Sequence, residues 1–156
     1  MLGSAGAQEA DPAGVVGWWG VSGSGLGPQV PPNCDLTLGM VCVDKQRAGL
    51  TTWRVVADER FANPVGVVQG GFLAAIADSA MGASAVTWAR GRKVTAANAE
   101  LKISFFRPVE PGTELTCTAT VVSGGRRVAF VEAELVAGPG SLVAKASSTY
   151  LVSDRK

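Results

Sequence analysis

The sequence predicts an α+β fold in which a curved antiparallel sheet wraps around one long central helix. Three observations carry this expectation. The chain has 156 residues, 47% hydrophobic and 17% charged, which is enough for one full core. Its one long helical pattern, residues 72–88, is apolar almost all round, so the helix expected there is buried on every side. The rest of the apolar pattern is strand-like and cut at short intervals by Gly and Pro, as in an antiparallel meander. A single all-apolar helix is hidden only if such a sheet curls around it.

The elements follow in order. Residues 1–33 are rich in Gly, Ala, Pro and Ser and read as a flexible leader, and residues 34–156 read as the domain proper. The leader's apolar patch, Val15, Val16, Trp18 and Trp19, is expected to pack onto the domain surface. The glycine run from 23 to 27 has no strand before it and no helix after it, so it is not a phosphate-binding loop. Runs 36–43 and 50–56 read as a two-stranded hairpin. Beyond Asn63-Pro64 comes the helix, with Arg90 in its last turn and Gly91 as its stop. Ala97, Ala99, Leu101, Ile103 and Phe105 then alternate with Asn98, Glu100, Lys102 and Ser104, the period of a half-buried strand. Three more strands are expected over 114–122, 127–136 and 142–152, separated by Gly124-Gly125 and Gly138-Pro139-Gly140. Ala74, Ala75, Ala77, Ala80, Gly82 and Ala83 let the sheet approach the helix closely.

Composition excludes several functions. Fourteen basic against thirteen acidic residues leave a net charge of +1, so nucleic acid is not an expected partner, and no basic run suggests a membrane surface. The most apolar stretch, 71–89, approaches bilayer length but carries Asp78 near its centre, which favours a buried helix over a membrane span. The first dozen residues lack Lys and Arg, so a secretory leader is not expected. Cys34, Cys42 and Cys117 are odd in number and far apart, which points to reduced thiols, a cytoplasmic location, and neither a disulfide framework nor a metal site. There is no histidine, so Ser-His-Asp and Cys-His systems and His-ligated zinc are excluded in their usual forms. No cofactor is indicated. Chemistry must rest on carboxylates, amides and backbone.

Asp78 is the anomaly in this pattern, one carboxylate in an apolar helix. Desolvation there would raise its pKa toward neutrality and suit it to work as a general base or a nucleophile. Gly70 and Gly71 lie at the start of the same helix, where free N–H groups and the positive end of the dipole can stabilise an oxyanion. The two sites are eight residues apart, or about 12 Å along one helix. One carbonyl cannot touch both within a chain. If both act on one group, two chains must supply them across a two-fold axis.

The stretch Asn63-Pro-Val-Gly-Val-Val-Gln-Gly-Gly-Phe-Leu-Ala-Ala-Ile-Ala-Asp78 resembles the signature of the PaaI-type hotdog thioesterases, in the 4-hydroxybenzoyl-CoA thioesterase-like superfamily. Further matches are Pro31-Pro32, Leu38-Gly39-Met40, the segment 100–108 and the segment 124–134. The resemblance implies a hotdog fold, hydrolysis of an acyl-CoA, and a homodimer, with a dimer of dimers expected. It implies Asp78 as the reacting carboxylate, Gly70 as the oxyanion donor, and Asn63 as an amide that places the thioester or water. Asn98 aligns with a small polar residue that assists the water in relatives. Gln69 departs from the family's usual His, and Gln can donate to a carbonyl but cannot exchange a proton near neutral pH. For the phosphates of CoA, Arg107 and Arg126 are the preferred cations among Arg90, Arg92, Lys93 and Arg127. The alternative is a hotdog protein that binds acyl-CoA without hydrolysing it.

Overall fold

In a computed structural model of the chain, residues 31–155 are described. The leader up to residue 30, with its tryptophan pair and glycine run, lies outside them. A short helix α1 (Asn33–Leu38) leads into β1 (Val41–Asp44) and β2 (Leu50–Val56). After a 3-10 turn (Glu59–Phe61) comes the long helix α2 (Gly70–Trp88), followed by β3 (Val94–Phe105), β4 (Glu114–Gly124), β5 (Val128–Ala137) and β6 (Ser141–Asp154). The six strands form one antiparallel sheet in the order β1-β2-β4-β5-β6-β3. Helix α2 packs against β2 to β6, so the sheet curls around it as expected.

The first expected strand is only half strand. Residues 33–38 are helical because Pro32 starts the turn, the Leu36 N–H donates to the Pro32 carbonyl (3.1 Å), and Thr37 Oγ1 donates to the Asn33 carbonyl (2.8 Å). Gly39, at φ +68°, ends the helix, and the strand begins at Val41. Leu36-Thr37-Leu38 alternates like a strand, but it places Asp35 and Leu38, three residues apart, on one buried helical face.

Helix α2 ends where Arg90 (φ +47°) and Gly91 (φ +83°) turn left-handed. Its sheet-facing side chains include Leu73, Ile76, Ala77, Ala80, Met81 and Ser84, all buried. With so many alanines there, Leu73, Ile76 and Met81 supply most of the apolar burial, at about 1.5–3 kcal/mol each. Contrary to expectation the described residues do not cover the helix all round. Gly71 is exposed, and Ala75, Asp78, Ser79, Gly82 and Val86 are half-buried along a flank that α1 only partly covers.

A buried polar seam pins α2 to the sheet. Thr51 Oγ1 on β2 donates to the Ala80 carbonyl (3.0 Å), lies 2.8 Å from Ser84 Oγ, and accepts from Trp53 Nε1 (3.0 Å). Ser84 Oγ in turn donates to the Ala119 carbonyl of β4 (3.0 Å). Each buried polar atom thus has a partner. Farther along, the Trp88 ring fits between two glycines: a Cβ at Gly49 would sit 2.9 Å from its Cε3, and one at Gly124 2.9 Å from its Nε1.

Strand β3 departs most instructively from its sequence pattern. Between Asn98 and Glu100 its register with β6 shifts: Asn98 faces Tyr150 and Glu100 faces Thr149, leaving Ala99 as an extra residue. This bulge reverses the alternation. Asn98 turns toward α2, while Leu101, Ile103 and Phe105 regain the helix side opposite Ser148, Ala146 and Ala144. Ala97, opposite Leu151, belongs to the other face. The five apolar residues therefore do not share one face, and within one chain Ala97, Ala99, Leu101 and Phe105 are all exposed.

Candidate functional site

The bulge brings three elements together at Asp78, in the third turn of α2. Asp78 Oδ1 accepts from Asn98 Nδ2 (2.5 Å) and from the Tyr150 hydroxyl (2.5 Å), which also lies 2.9 Å from the Asp78 backbone carbonyl. The orientation of the Asn98 amide is set by the Glu100 N–H, which donates to its Oδ1 (3.0 Å), while Ser148 Oγ lies 2.7 Å from both that oxygen and the Glu100 carbonyl. The Tyr150 ring has room because Gly82, one helical turn beyond Asp78, lacks a side chain; a Cβ there would meet the ring at 3.5 Å. Burial and the adjacent Asp78 carboxylate push the Tyr150 phenol well above its ordinary range, so it is a neutral donor. Asp78 is accordingly not the enclosed, unpartnered carboxylate expected from its neighbours. It is half-buried, hydrogen-bonded on one oxygen, and set in the wall of an open cleft of about 330 Å³.

That cleft holds a second carboxylate, Asp35, only 4% exposed. Burial pushes the Asp35 carboxyl above the usual carboxylate range, against the opposing hydrogen bonds from Ser79 and from the Cys34 thiol (3.5 Å). The sequence pattern does not single out Asp35, which sits where that pattern reads as loop and strand. Tyr150 and Ser148 were also missed. A signal existed: Tyr150 is the chain's only tyrosine, and with Ser148 it occupies inward positions of β6 otherwise filled by Ala144, Ala146 and Val152.

The other candidate residues gather at the start of α2. The chain doubles back between Phe61 and Gln69, with the Gln69 N–H donating to the Phe61 carbonyl (2.8 Å) and the Asn63 N–H to the Val67 carbonyl (2.7 Å). Asn63 Oδ1 accepts from the Val65 and Val67 N–H groups (3.0 and 3.3 Å), so it builds the turn, and its Nδ2 has no partner among the described residues. Gln69 is the extended N-cap of α2 but makes no side-chain cap, and its exposed amide has no partner among the described residues. The N–H groups of Gly70 and Gly71 donate to no backbone carbonyl among the described residues. Gly70 lines a cleft of about 360 Å³ with Phe105, Arg107 and Val109, and Gln69 and Gly71 line an apolar groove of about 520 Å³ with Leu38 and Phe72.

Asp78 therefore shares a cleft with Asn98 but not with Gly70, Gln69 or Asn63. Of the two preferred cations, Arg107 lines the Gly70 cleft and donates to the Leu142 carbonyl (3.0 Å). Arg126 is bound to Asp154 (3.0 Å), which Arg92 also holds (2.7 Å). Cys34, Cys42 and Cys117 are all free, and burial pushes the Cys117 thiol up to about 12. Among the described residues no helix is long and apolar enough to cross a membrane.

Comparison with known proteins agrees with the fold. Human acyl-coenzyme A thioesterase 13 is 23% identical over 118 residues, covering 75% of this chain and 83% of its own. A phenylacetic acid degradation-related protein from Ralstonia eutropha JMP134 is 34% identical, with a TM-score of 0.69 over 77% of this chain and 89% of its own. The PaaI protein from the phenylacetic acid degradation operon of E. coli superposes with a TM-score of 0.70 at 23% identity, over 76% and 82% of the two chains. Residues 65–144 match the thioesterase superfamily, and they hold α2, its glycine pair, Asp78 and Asn98. The chain belongs to the thioesterase superfamily, as a hotdog-fold thioesterase of the PaaI type.

Proposed function

We propose that the protein hydrolyses an acyl-CoA thioester to a free acid and coenzyme A, with Asp78 as the reacting carboxylate. The observation that carries this reading is the Asp78 side chain, tethered on one oxygen and lining an open cleft, in a thioesterase scaffold. The human relative's name supports an acyl-CoA as substrate. In one route Asp78 takes a proton from a water that adds to the thioester carbon. In the other it attacks that carbon, expels the thiolate and forms a mixed anhydride that water then opens. Both give carboxylic acid and thiol. A thiol ionises at about 8.5, so CoA leaves as a thiolate without a protonating acid, and Gln69 in place of His is compatible with turnover.

The free N–H groups of Gly70 and Gly71 would hold the carbonyl oxygen as it gains charge, and the amides of Gln69 and Asn63 would orient the thioester. Arg107 is the better placed of the two cations for the phosphates, since Asp154 already occupies Arg126. These groups must come from a second copy, about 12 Å away along α2 in the same chain being too far. Support for a dimer comes from β3, a twelve-residue edge strand with no neighbour on its outer side among the described residues. Such an edge is a template for pairing, and two β3 strands running antiparallel would extend the sheet across a two-fold axis. Phe130 and Leu151, about half-exposed on the outer face of the sheet, would serve a second contact in a dimer of dimers. The three free thiols favour a reducing compartment, the cytoplasm.

The test is thiol release from a panel of acyl-CoAs, with oligomeric state followed by sedimentation. Asp78→Asn should lower kcat by about 10²-fold or more while the dimer persists. Binding of acyl-CoA without thiol release by the unaltered protein would instead support a non-catalytic acyl-CoA-binding protein.

A further inference from the structure

We infer that Tyr150 is a positioning residue that, with Asn98, ties down Oδ1 of Asp78 and leaves Oδ2 as the one atom presented to the water or thioester. This rests on the proposed hydrolysis and adds to it the identity of the reacting oxygen. The argument is geometric. Both short hydrogen bonds end on Oδ1, from donors on different strands, β3 and β6, so the carboxylate is gripped from two directions. No described residue takes Oδ2, and Asp78 lines the cleft.

Each donor is itself fixed. Asn98 is oriented by the Glu100 N–H, and the Tyr150 ring is seated on Gly82. Tyr150 can only donate to the carboxylate here, because it stays neutral, and one hydroxyl proton serves either Oδ1 or the Asp78 carbonyl. Rotation of the carboxylate about its last bond would exchange the oxygens, and it would break both bonds at once. Fixing that angle matters for turnover because the reacting oxygen must stay aligned with its target through the transition state.

Tyr150→Phe keeps the ring against Gly82 and removes only the hydroxyl. The expected result is a kcat lowered about tenfold or more with KM within about twofold, a change made in the transition state alone. In an Asp78→Asn background the same substitution should change the residual rate no further, because the hydroxyl acts through Asp78. A second measurement uses no Tyr150 variant. Tyr150 is the only tyrosine, so the tyrosinate absorption band reports it alone. Replacing the Asp78 carboxylate with an amide should let this phenol ionise at lower pH than in the unaltered protein. A Tyr150→Phe enzyme with kcat within about twofold of the original overturns the inference. So does an Asp78→Asn protein whose phenol ionises no earlier than the original's while both remain folded. Retention of turnover by Asp78→Asn is a different outcome, one that defeats the proposed hydrolysis itself.

Discussion

Gly49→Ala and Gly112→Ala form a matched pair that measures how tightly Trp88 is seated. Both glycines are left-handed, at φ +79° and +84°, so either alanine bears the same backbone penalty of about 1–2 kcal/mol. They differ in what a Cβ would meet. At Gly112 there is nothing within 4 Å, whereas at Gly49 the new carbon would lie 2.9 Å from Trp88 Cε3 and 3.2 Å from Val121 Cβ. The ring cannot slide away along its own plane, because its other edge already lies against Gly124. Forcing a methyl into such a site costs about 1–3 kcal/mol more. Urea unfolding at one fixed protomer concentration should therefore show Gly49→Ala less stable than Gly112→Ala by about 1–3 kcal/mol at equal m-values. The gap should close when Trp88 is replaced by Leu in both. Equal losses in the two alanine variants would refute the steric account of Trp88.

Two further outcomes are expected. Asp35 has its carboxyl raised by burial, so its contribution to stability is present at acid pH, below the ordinary carboxylate value, and is lost as pH rises through the folded-state value. Asp35→Asn, uncharged throughout, should melt at higher temperature than the original at pH 7, with the gap closing toward about pH 4; a gap independent of pH would count against the burial argument. Gly70→Ala has ordinary helical backbone, and its Cβ would lie 3.0 Å from Cζ of the half-exposed Phe105, which can give way. The small helix gain of about 0.5–1 kcal/mol should roughly offset that contact, leaving the melting temperature nearly unchanged while kcat/KM falls through obstruction of the oxyanion position.

Much of the fold could be read from the chain because periodicity and turn residues agree over long stretches. Helix α2 and strands β2, β4, β5 and β6 lie within a few residues of their expected places, bounded by Gly91, Gly124-Gly125 and Gly138-Pro139-Gly140. The misreadings share a cause, in that a short pattern has more than one geometric solution. Leu36-Thr37-Leu38 satisfies a strand, yet Pro32 ahead and Gly39 behind close it into one and a half helical turns. In β3 the count of alternating residues is right, but the extra residue at Ala99 leaves no trace in hydrophobicity and reverses what faces the helix. That one step moves Asn98 from the outer surface to the carboxylate. Asp78 itself was legible as an anomaly, but its partner Tyr150 was not, since the contact spans 72 residues and depends on strand pairing.

The Thr51–Ser84 seam bears on aim as well as stability. A helix rich in alanine, with apolar residues on nearly every side, has little energetic reason to prefer one rotation about its axis over another. Each residue of slippage would swing Asp78 by about 100° around that axis, carrying it away from both Asn98 and Tyr150. Two hydroxyls buried between α2, β2 and β4 can find partners at one angular setting, so they index the helix as a key indexes a shaft. The bearing of the carboxylate is thus set six residues further along the helix, by residues that do not line the cleft.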